Sequence, residues 1–288
     1  MCFFHMISFL NRTTMTDIQI YGSGPTILLL HSFWGSSQLF NTMVESLADE
    51  GYQIICADFP GHGDSPVPVE PYHFESLARL LEQRLSDMGI EKLFSIIGHS
   101  MGGYLAQAFA SQFPHKTGSL VLLHSPMQPA DAESIRLRTK EASFLRSGKK
   151  ELWLRSVLSS NFAPGNEIKF AGAYQLLGKI SRQVTVEGAL AAIEAINARC
   201  DYRLFFEKAG LPMLVIVGQH DRVYAAGPMV ADATRIPQAQ IVVLSESGHL
   251  GFIEQEAECL CQIIGFLREK PKRESVSDPT HNRSLETI

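Results

Sequence analysis

Short apolar runs alternate with amphipathic stretches along most of the chain. Runs near 26–31, 53–58, 92–98, 119–124, 212–218 and 240–244 are continuous rather than alternating, as strands buried on both faces are. Between them, near 38–50, 74–88, 101–113, 227–235 and 254–268, apolar positions recur at helical spacing. The alternation predicts βαβ units and a mostly parallel, doubly wound sheet with helices on both faces. A short antiparallel pair is expected ahead of it, near Ile18 to Tyr21. The rhythm breaks once. Between Ser125 and Gly210 no strand-like run occurs, only the helical stretches Asp131 to Leu145, Lys149 to Leu158, Glu167 to Ile180 and Val186 to Ala198. An insertion of that length between two strands calls for a purpose.

Chemistry concentrates where predicted strands end. Leu93-Phe94-Ser95-Ile96-Ile97 runs into Gly98-His99-Ser100-Met101-Gly102, and a helical pattern from Tyr104 to Phe113 runs out of it. This is G-x-S-x-G in a strand–turn–helix setting, a nucleophile elbow. The turn strains Ser100, and a Cβ at 98 or 102 is expected to collide with the neighbouring strand or helix. The hydroxyl then stands at a helix N-terminus, where backbone N–H groups favour developing negative charge. A serine needs a base, and the base needs an orienting acid. In this architecture they follow in the order acid, then histidine. Met213-Leu214-Val215-Ile216-Val217 ends in Gly218-Gln219-His220-Asp221, and Ile241-Val242-Val243-Leu244 leads to Ser245-Glu246-Ser247-Gly248-His249. Asp221 and His249 thus follow consecutive strands at one edge of the sheet. An acid placed after an earlier strand would have to follow 119–124, but His124-Ser125-Pro126 offers no carboxylate there.

The pattern resembles the α/β-hydrolase superfamily over roughly residues 17–268. Two further motifs carry the resemblance. His31-Ser32-Phe33-Trp34-Gly35, after Thr26-Ile27-Leu28-Leu29-Leu30, is similar to the H-G-x-x-G oxyanion loop. Asp58-Phe59-Pro60-Gly61-His62-Gly63-Asp64-Ser65 is similar to the D-x-P-G-x-G-x-S turn that follows the family's fourth strand. The resemblance implies an α/β-hydrolase core over 17–125 and 211–269 and a helical cap over 126–210. It implies a Ser100–Asp221–His249 triad and an oxyanion hole from the backbone N–H groups of Phe33 and Met101. Ser32 stands where the family usually has glycine, and is expected to narrow the cleft. Phe33, Trp34, Trp153 and Phe162 are the expected substrate-binding residues. Of the cap aromatics Phe144, Trp153, Phe162, Phe170 and Tyr174, most are expected in the cap's own core and one or two facing the serine, a choice that periodicity does not make.

The implied activity is hydrolysis of a carboxylic ester or related acyl compound through an acyl-enzyme. Carbon–carbon bond hydrolysis, thioester or lactone hydrolysis, peracid formation and low-turnover ligand binding or signalling remain as alternatives. A serine at the elbow argues against the family's dehalogenases and epoxide hydrolases, which use aspartate there. No metal, nucleotide or organic cofactor is implied, and the expected partner is a small acyl substrate.

Composition narrows the picture further. The chain has 288 residues, 45% hydrophobic and 19% charged, with net charge −5, which suits one large domain and gives no nucleic-acid footprint. Its five cysteines show neither zinc spacing nor a disulfide framework, which fits a reducing, cytoplasmic setting. Residues 1–16 are apolar but too short to span a bilayer and lack signal-peptide features. They read as a frayed or non-native extension, with Met15 as a plausible start, the alternative being an interfacial or partner-binding segment, and the polar stretch 270–288 reads as disordered. The first half of the insertion is basic, with Arg136, Arg138, Lys140, Arg146, Lys149, Lys150 and Arg155, and reads as a solvated face rather than an anion-steering patch. His99 is expected behind the elbow, His31 bracing the oxyanion loop, His62 and Asp64 in a turn, and His220 pointing away from Asp221. Nothing in the sequence sets an oligomeric state.

Overall fold

The structure, a computed structural model, describes residues 17–68 and 71–269; the expected extension over 1–16 and tail over 270–288 lie outside the described residues. Seven strands form one sheet: β1 (Ile18–Gly22), β2 (Thr26–Leu30), β3 (Gln53–Ala57), β4 (Ser95–His99), β5 (Leu120–Leu123), β6 (Met213–Gly218) and β7 (Ala239–Leu244). Their spatial order is β1-β3-β2-β4-β5-β6-β7. Only β1 runs antiparallel, with Ile18 opposite Ala57 and Gly22 opposite Gln53. Every other pairing is parallel. The alternation of apolar runs and helical stretches therefore yields the mostly parallel α/β sheet it predicts.

The residues explain the layout. Strands β2 to β6 are apolar and buried almost throughout, because helices cover both faces. The run 240–244 also reads as buried, yet β7 is an edge strand, and Val243 is 41% exposed because no strand lies beyond it. In place of an antiparallel pair near Ile18 to Tyr21 there is one strand. Gly22, at φ 66°, and Gly24, at φ 117°, turn the chain straight into β2. A Cβ at Gly24 would stand 2.3 Å from the Gly51 carbonyl, so this crossing needs glycine. The Asp58 to Ser65 turn follows β3, the third strand of this chain.

Core helices are α1 (Asn41–Asp49), α2 (Phe74–Asp87) and α3 (Met101–Gln112). The connection between β5 and β6 holds α4 (Ala132–Arg146), α5 (Lys150–Val157), α6 (Asn166–Lys169), α7 (Ala171–Gln183), α8 (Val186–Asn197) and α9 (Arg203–Ala209). Asp131 caps α4 by accepting from the Ser134 N–H at 2.7 Å, and Thr185 caps α8 through Gly188. The helix expected over Glu167 to Ile180 breaks at Phe170, and seven-residue α9 is too short to announce itself by periodicity. After β6 come α10 (Ala226–Thr234), α11 (Gly251–Glu254) and α12 (Glu256–Arg268), the last two divided at Gln255. Among the described residues no helix is long and apolar enough to cross a membrane.

Parallel strands end at the same edge. Phe33, Ser100, His124, Asp221 and His249 lie on the loops that follow β2, β4, β5, β6 and β7. An open parallel sheet presents its site at this edge.

Candidate active site

Ser100 has φ 52° and ψ −114°, a conformation that side-chain-bearing residues rarely adopt. Three hydrogen bonds hold it there. Its N–H donates to the Leu123 carbonyl at 2.9 Å, and its carbonyl accepts from the Gly103 N–H at 2.9 Å and the Ser125 hydroxyl at 2.8 Å. The flanking glycines leave no room for alternatives. A Cβ on Gly102 would lie 2.0 Å from the Leu30 carbonyl, and one on Gly98 would lie 2.6 Å from Gly103 of the helix. Trp34 and His124 are the other described non-glycine residues with positive φ, at 62° and 50°. All three strained residues sit at the sheet edge that carries the candidate site. Strain persists only where surrounding structure over-determines it.

The acid and histidine meet. Asp221 Oδ2 accepts from His249 Nδ1 at 2.7 Å, and both side chains are buried. Asp221 Oδ1 accepts the N–H groups of Val223 and Tyr224 at 2.8 and 3.0 Å. Burial alone would raise the Asp221 carboxyl pKa. Its interactions with His249 and His124 outweigh that and hold it far below the usual carboxylate range. His249 is tied to the elbow through His99, whose Nε2 donates to the His249 carbonyl at 2.7 Å. Burial first, then the neighbouring His249 and His124, hold His99 well below the usual imidazole value, so it stays neutral behind the elbow.

His124 is a contributor that the sequence pattern noted only for lacking a carboxylate. Its Nδ1 lies 3.5 Å from Asp221 Oδ2, while backbone N–H groups of Gly218 and Gly251 each stand 3.1 Å from one of its ring nitrogens. A neutral imidazole accepts at only one nitrogen. One nitrogen therefore accepts and the other carries the proton, and His124 bears on the carboxylate electrostatically across 3.5 Å. Potential ligand atoms of His124, Asp221 and His249 do lie within 4.8 Å of one another. However, backbone N–H groups point at both His124 nitrogens, and His249 Nδ1 faces the carboxylate, so this donor set fits a hydrogen-bonded relay and not a cation.

The loop from His31 to Gly35 is braced from below. His31 Nδ1 donates to the Ser32 carbonyl at 2.8 Å, and Nε2 accepts from the Phe59 N–H at 3.0 Å. Burial lowers the His31 pKa to about 4, so the imidazole is neutral and this tautomer is fixed. The Ser32 hydroxyl lies against Gly35 of its own turn. Among the described residues, the N–H groups of Phe33 and Met101 have no hydrogen-bond acceptor. His62 and Asp64 belong to the turn built on Asp58, whose carboxylate accepts from the N–H groups of Ser37 and Asp64. His220 is exposed.

The insertion reaches this edge. Asn161 accepts the His249 N–H at 2.9 Å, and the Phe162 backbone lies against Gly248. Glu254 binds the loop from the other side, accepting from the N–H groups of Gly248 and Ala163 at 2.8 Å each. The expected substrate-binding aromatics divide. Phe33 has the Arg138 guanidinium 5.1 Å above its ring. Trp34 and Trp153 both donate their indole N–H to buried Glu141, at 2.8 and 2.6 Å. The Phe162 ring is fully buried, beside Tyr174, so its backbone is the part that meets the histidine loop.

A family model for the alpha/beta hydrolase fold matches residues 25–256. The chain is 26% identical over 235 residues to Lipase 3 of Moraxella sp. (strain TA144), covering 81% of this chain and 74% of that one. It is 26% identical over 265 residues to the poly(3-hydroxyalkanoate) depolymerase of Ectopseudomonas oleovorans, covering 88% and 87% of the two chains. Among solved structures, a thermophilic esterase from Thermogutta terrifontis superposes with a TM-score of 0.80 at 26% identity, over 88% of this chain and 93% of that one.

Proposed function

The chain belongs to the alpha/beta hydrolase fold family, and on that premise we propose that it is a serine esterase working through Ser100, His249 and Asp221. Relatives named as a lipase, a depolymerase and an esterase make ester cleavage the activity of choice. One observation carries the assignment of roles: the buried 2.7 Å contact between Asp221 and His249, at the sheet edge where Ser100 is strained into a turn.

In this reading His249 takes the Ser100 proton as the hydroxyl attacks the ester carbonyl. The carbonyl oxygen becomes an oxyanion held by the free N–H groups of Phe33 and Met101; loss of one such donor typically costs about 10²–10³ in kcat. Asp221 fixes the imidazole with its proton on Nδ1 and stabilises the imidazolium. His249 returns the proton to the leaving alcohol, then activates a water that cleaves the acyl-enzyme. Residues 126–210 serve as a cap, a role supported by their contacts with Gly248, His249 and the oxyanion loop.

The test is labelling with a fluorophosphonate, located by peptide mass spectrometry, alongside turnover of short p-nitrophenyl esters. Label on Ser100 and ester turnover that is unaffected by EDTA are the expected results. Turnover that survives Ser100→Ala, or label that settles elsewhere, overturns the reading.

A further inference from the structure

Arg138 departs from the solvated face that its basic neighbours suggest. Its side chain is only 22% exposed, and its guanidinium lies 5.1 Å above the ring of Phe33 in the oxyanion loop. Its hydrogen bond among the described residues runs from Nη1 to Glu141 Oε2 at 2.7 Å, which leaves Nε and Nη2 without an acceptor. Glu141 cannot turn to serve them, because its Oε1 already holds the indoles of Trp34 and Trp153. One edge of the guanidinium fork is therefore anchored and the other is open.

A second arginine stands nearby. Arg199 is 7% exposed and packs 4.7 Å over the ring of Tyr104. It donates from Nε to the Gln128 carbonyl and from Nη1 to the Ile196 carbonyl, each at 3.0 Å, and no described carboxylate pairs with it. Asp131, at the start of α4, acts on it only at longer range. Tyr104 lies one turn of α3 beyond Ser100, and its buried hydroxyl stands beside the Tyr224 phenol, with no other described hydrogen-bond partner. Burial, then the neighbouring Tyr224 phenol, raise its pKa well above the ordinary phenol value, so it remains an O–H donor. Tyr224 in turn lies 5.9 Å from the His249 ring. Of the two cations only Arg138 touches a carboxylate, and its Nε and Nη2 remain open donors on the side that faces Phe33.

We propose that Arg138, Arg199 and Tyr104 form an anion-recognising wall of the substrate cleft, so that the favoured ester carries a carboxylate. This rests on the esterase reading above. The ester bond meets Ser100 while the distal carboxylate takes the open edge of Arg138, the Tyr104 hydroxyl and the charge of Arg199. A neutral ester of the same length leaves those donors dry and unpaired.

The experiment compares kcat/KM for matched esters. Monomethyl esters of succinic, glutaric and adipic acids place the carboxylate on the acyl side, and acetyl esters of glycolic and 3-hydroxybutyric acids place it on the alcohol side. Neutral methyl and acetyl esters of equal length are the references. The wild-type protein should favour one anionic series about tenfold or more, as a charge-assisted contact does. Arg138→Gln and Arg199→Gln should each bring that ratio down by up to about tenfold, towards one, with partial recovery in Arg138→Lys. A wild-type ratio of one or less for both series overturns the wall, and needs no variant to fold. So does a ratio unchanged in soluble Arg138→Gln. If Ser100 takes the fluorophosphonate and neutral esters are cleaved without preference, the esterase reading stands and the wall falls alone. If Ser100 is not labelled and no ester is cleaved, both fall.

Discussion

The C-terminal edge of the sheet and the helical insertion above it are held in different ways. At the sheet edge, backbone does the holding. Ser100 is fixed by the Leu123 carbonyl, the Gly103 N–H and the Ser125 hydroxyl, and its glycine neighbours touch main-chain atoms. Asp221 is pinned by two backbone N–H groups as well as by the His249 imidazole. The insertion joins the core largely through side chains. Trp34, Trp153 and Arg138 converge on Glu141, and Ser181 donates to the Trp34 carbonyl at 2.9 Å. A backbone-built site fixes which reaction is possible, since reacting groups tolerate little misplacement. A side-chain-built attachment can change with single substitutions, which in the proposed reading suits the choice of substrate.

The sharpest way to break this comparison is to attack the edge itself. Ser100→Ala and His249→Ala should each reduce ester turnover by about 10⁴–10⁶, and the double variant should be little worse than either, because the pair acts as a unit. Asp221→Asn should cost about 10⁴, since it removes the anchor of the imidazole tautomer. Steady-state kinetics on p-nitrophenyl acetate checks all three. Near-normal kcat/KM in His249→Ala would place the base elsewhere.

Local backbone features are what a sequence shows best, which explains what was legible. Ser100, Asp221 and His249 each follow an apolar run, and their turns are marked by glycine. His31 bracing the loop after β2, His62 in its turn and His220 facing out all follow from the same local logic. His124 was seen only as an absence of carboxylate, because its role depends on Gly218 and Gly251, residues far along the chain that meet it only after folding. Arg138 looked like one of several solvated cations, because the pairing that buries it joins Trp34 to Glu141 across 107 positions. Periodicity cannot report such a contact. It also cannot distinguish an edge strand from a central one, as β7 demonstrates.

Acid should separate the two regions next. The insertion, 126–210, contains no histidine, whereas His31, His62, His99 and His124 are buried beneath the sheet edge. Burial lowers the His31 pKa to about 4; for His62, burial and then the His31 charge lower it to about 3. The unfolded chain takes up these protons near pH 6.5, while the folded chain refuses them until roughly pH 4 or 3. Stability is therefore complete above about pH 6.5 and drains away as pH falls towards those values, by at most about 1.4 kcal/mol per pH unit for each histidine. Urea midpoints at pH 7, 6 and 5 should fall in that order. His62→Asn should flatten the slope, and a midpoint independent of pH would count against neutral buried histidines.

Within the insertion the largest effect should come from Glu141. Its carboxylate accepts from two indoles and a guanidinium, so Glu141→Ala strands three donors at once. A loss of about 2–4 kcal/mol is expected, below the full cost of a broken buried pair because Arg138 is partly exposed. Urea unfolding measures it. Fluorophosphonate labelling of the folded fraction should persist, since Ser100 is held by the sheet edge. Loss of labelling in folded Glu141→Ala would mean that the insertion also builds the reaction centre.

The smallest change sharpens the comparison most. Trp153→Phe keeps an aromatic ring beside Phe144 but removes the N–H that reaches Glu141 at 2.6 Å. Glu141 keeps Trp34 and Arg138, so no buried charge is abandoned. The stability cost should be about 1 kcal/mol, that of one hydrogen bond among three. Released on one side, Glu141 can shift, and Arg138 over Phe33 shifts with it. The ester preference should then move by less than about tenfold, mainly in KM, because remote positioning alters binding before it alters bond-making. A fall in kcat at constant KM would show the reverse, with the insertion acting on the chemical step and the two regions forming a single device.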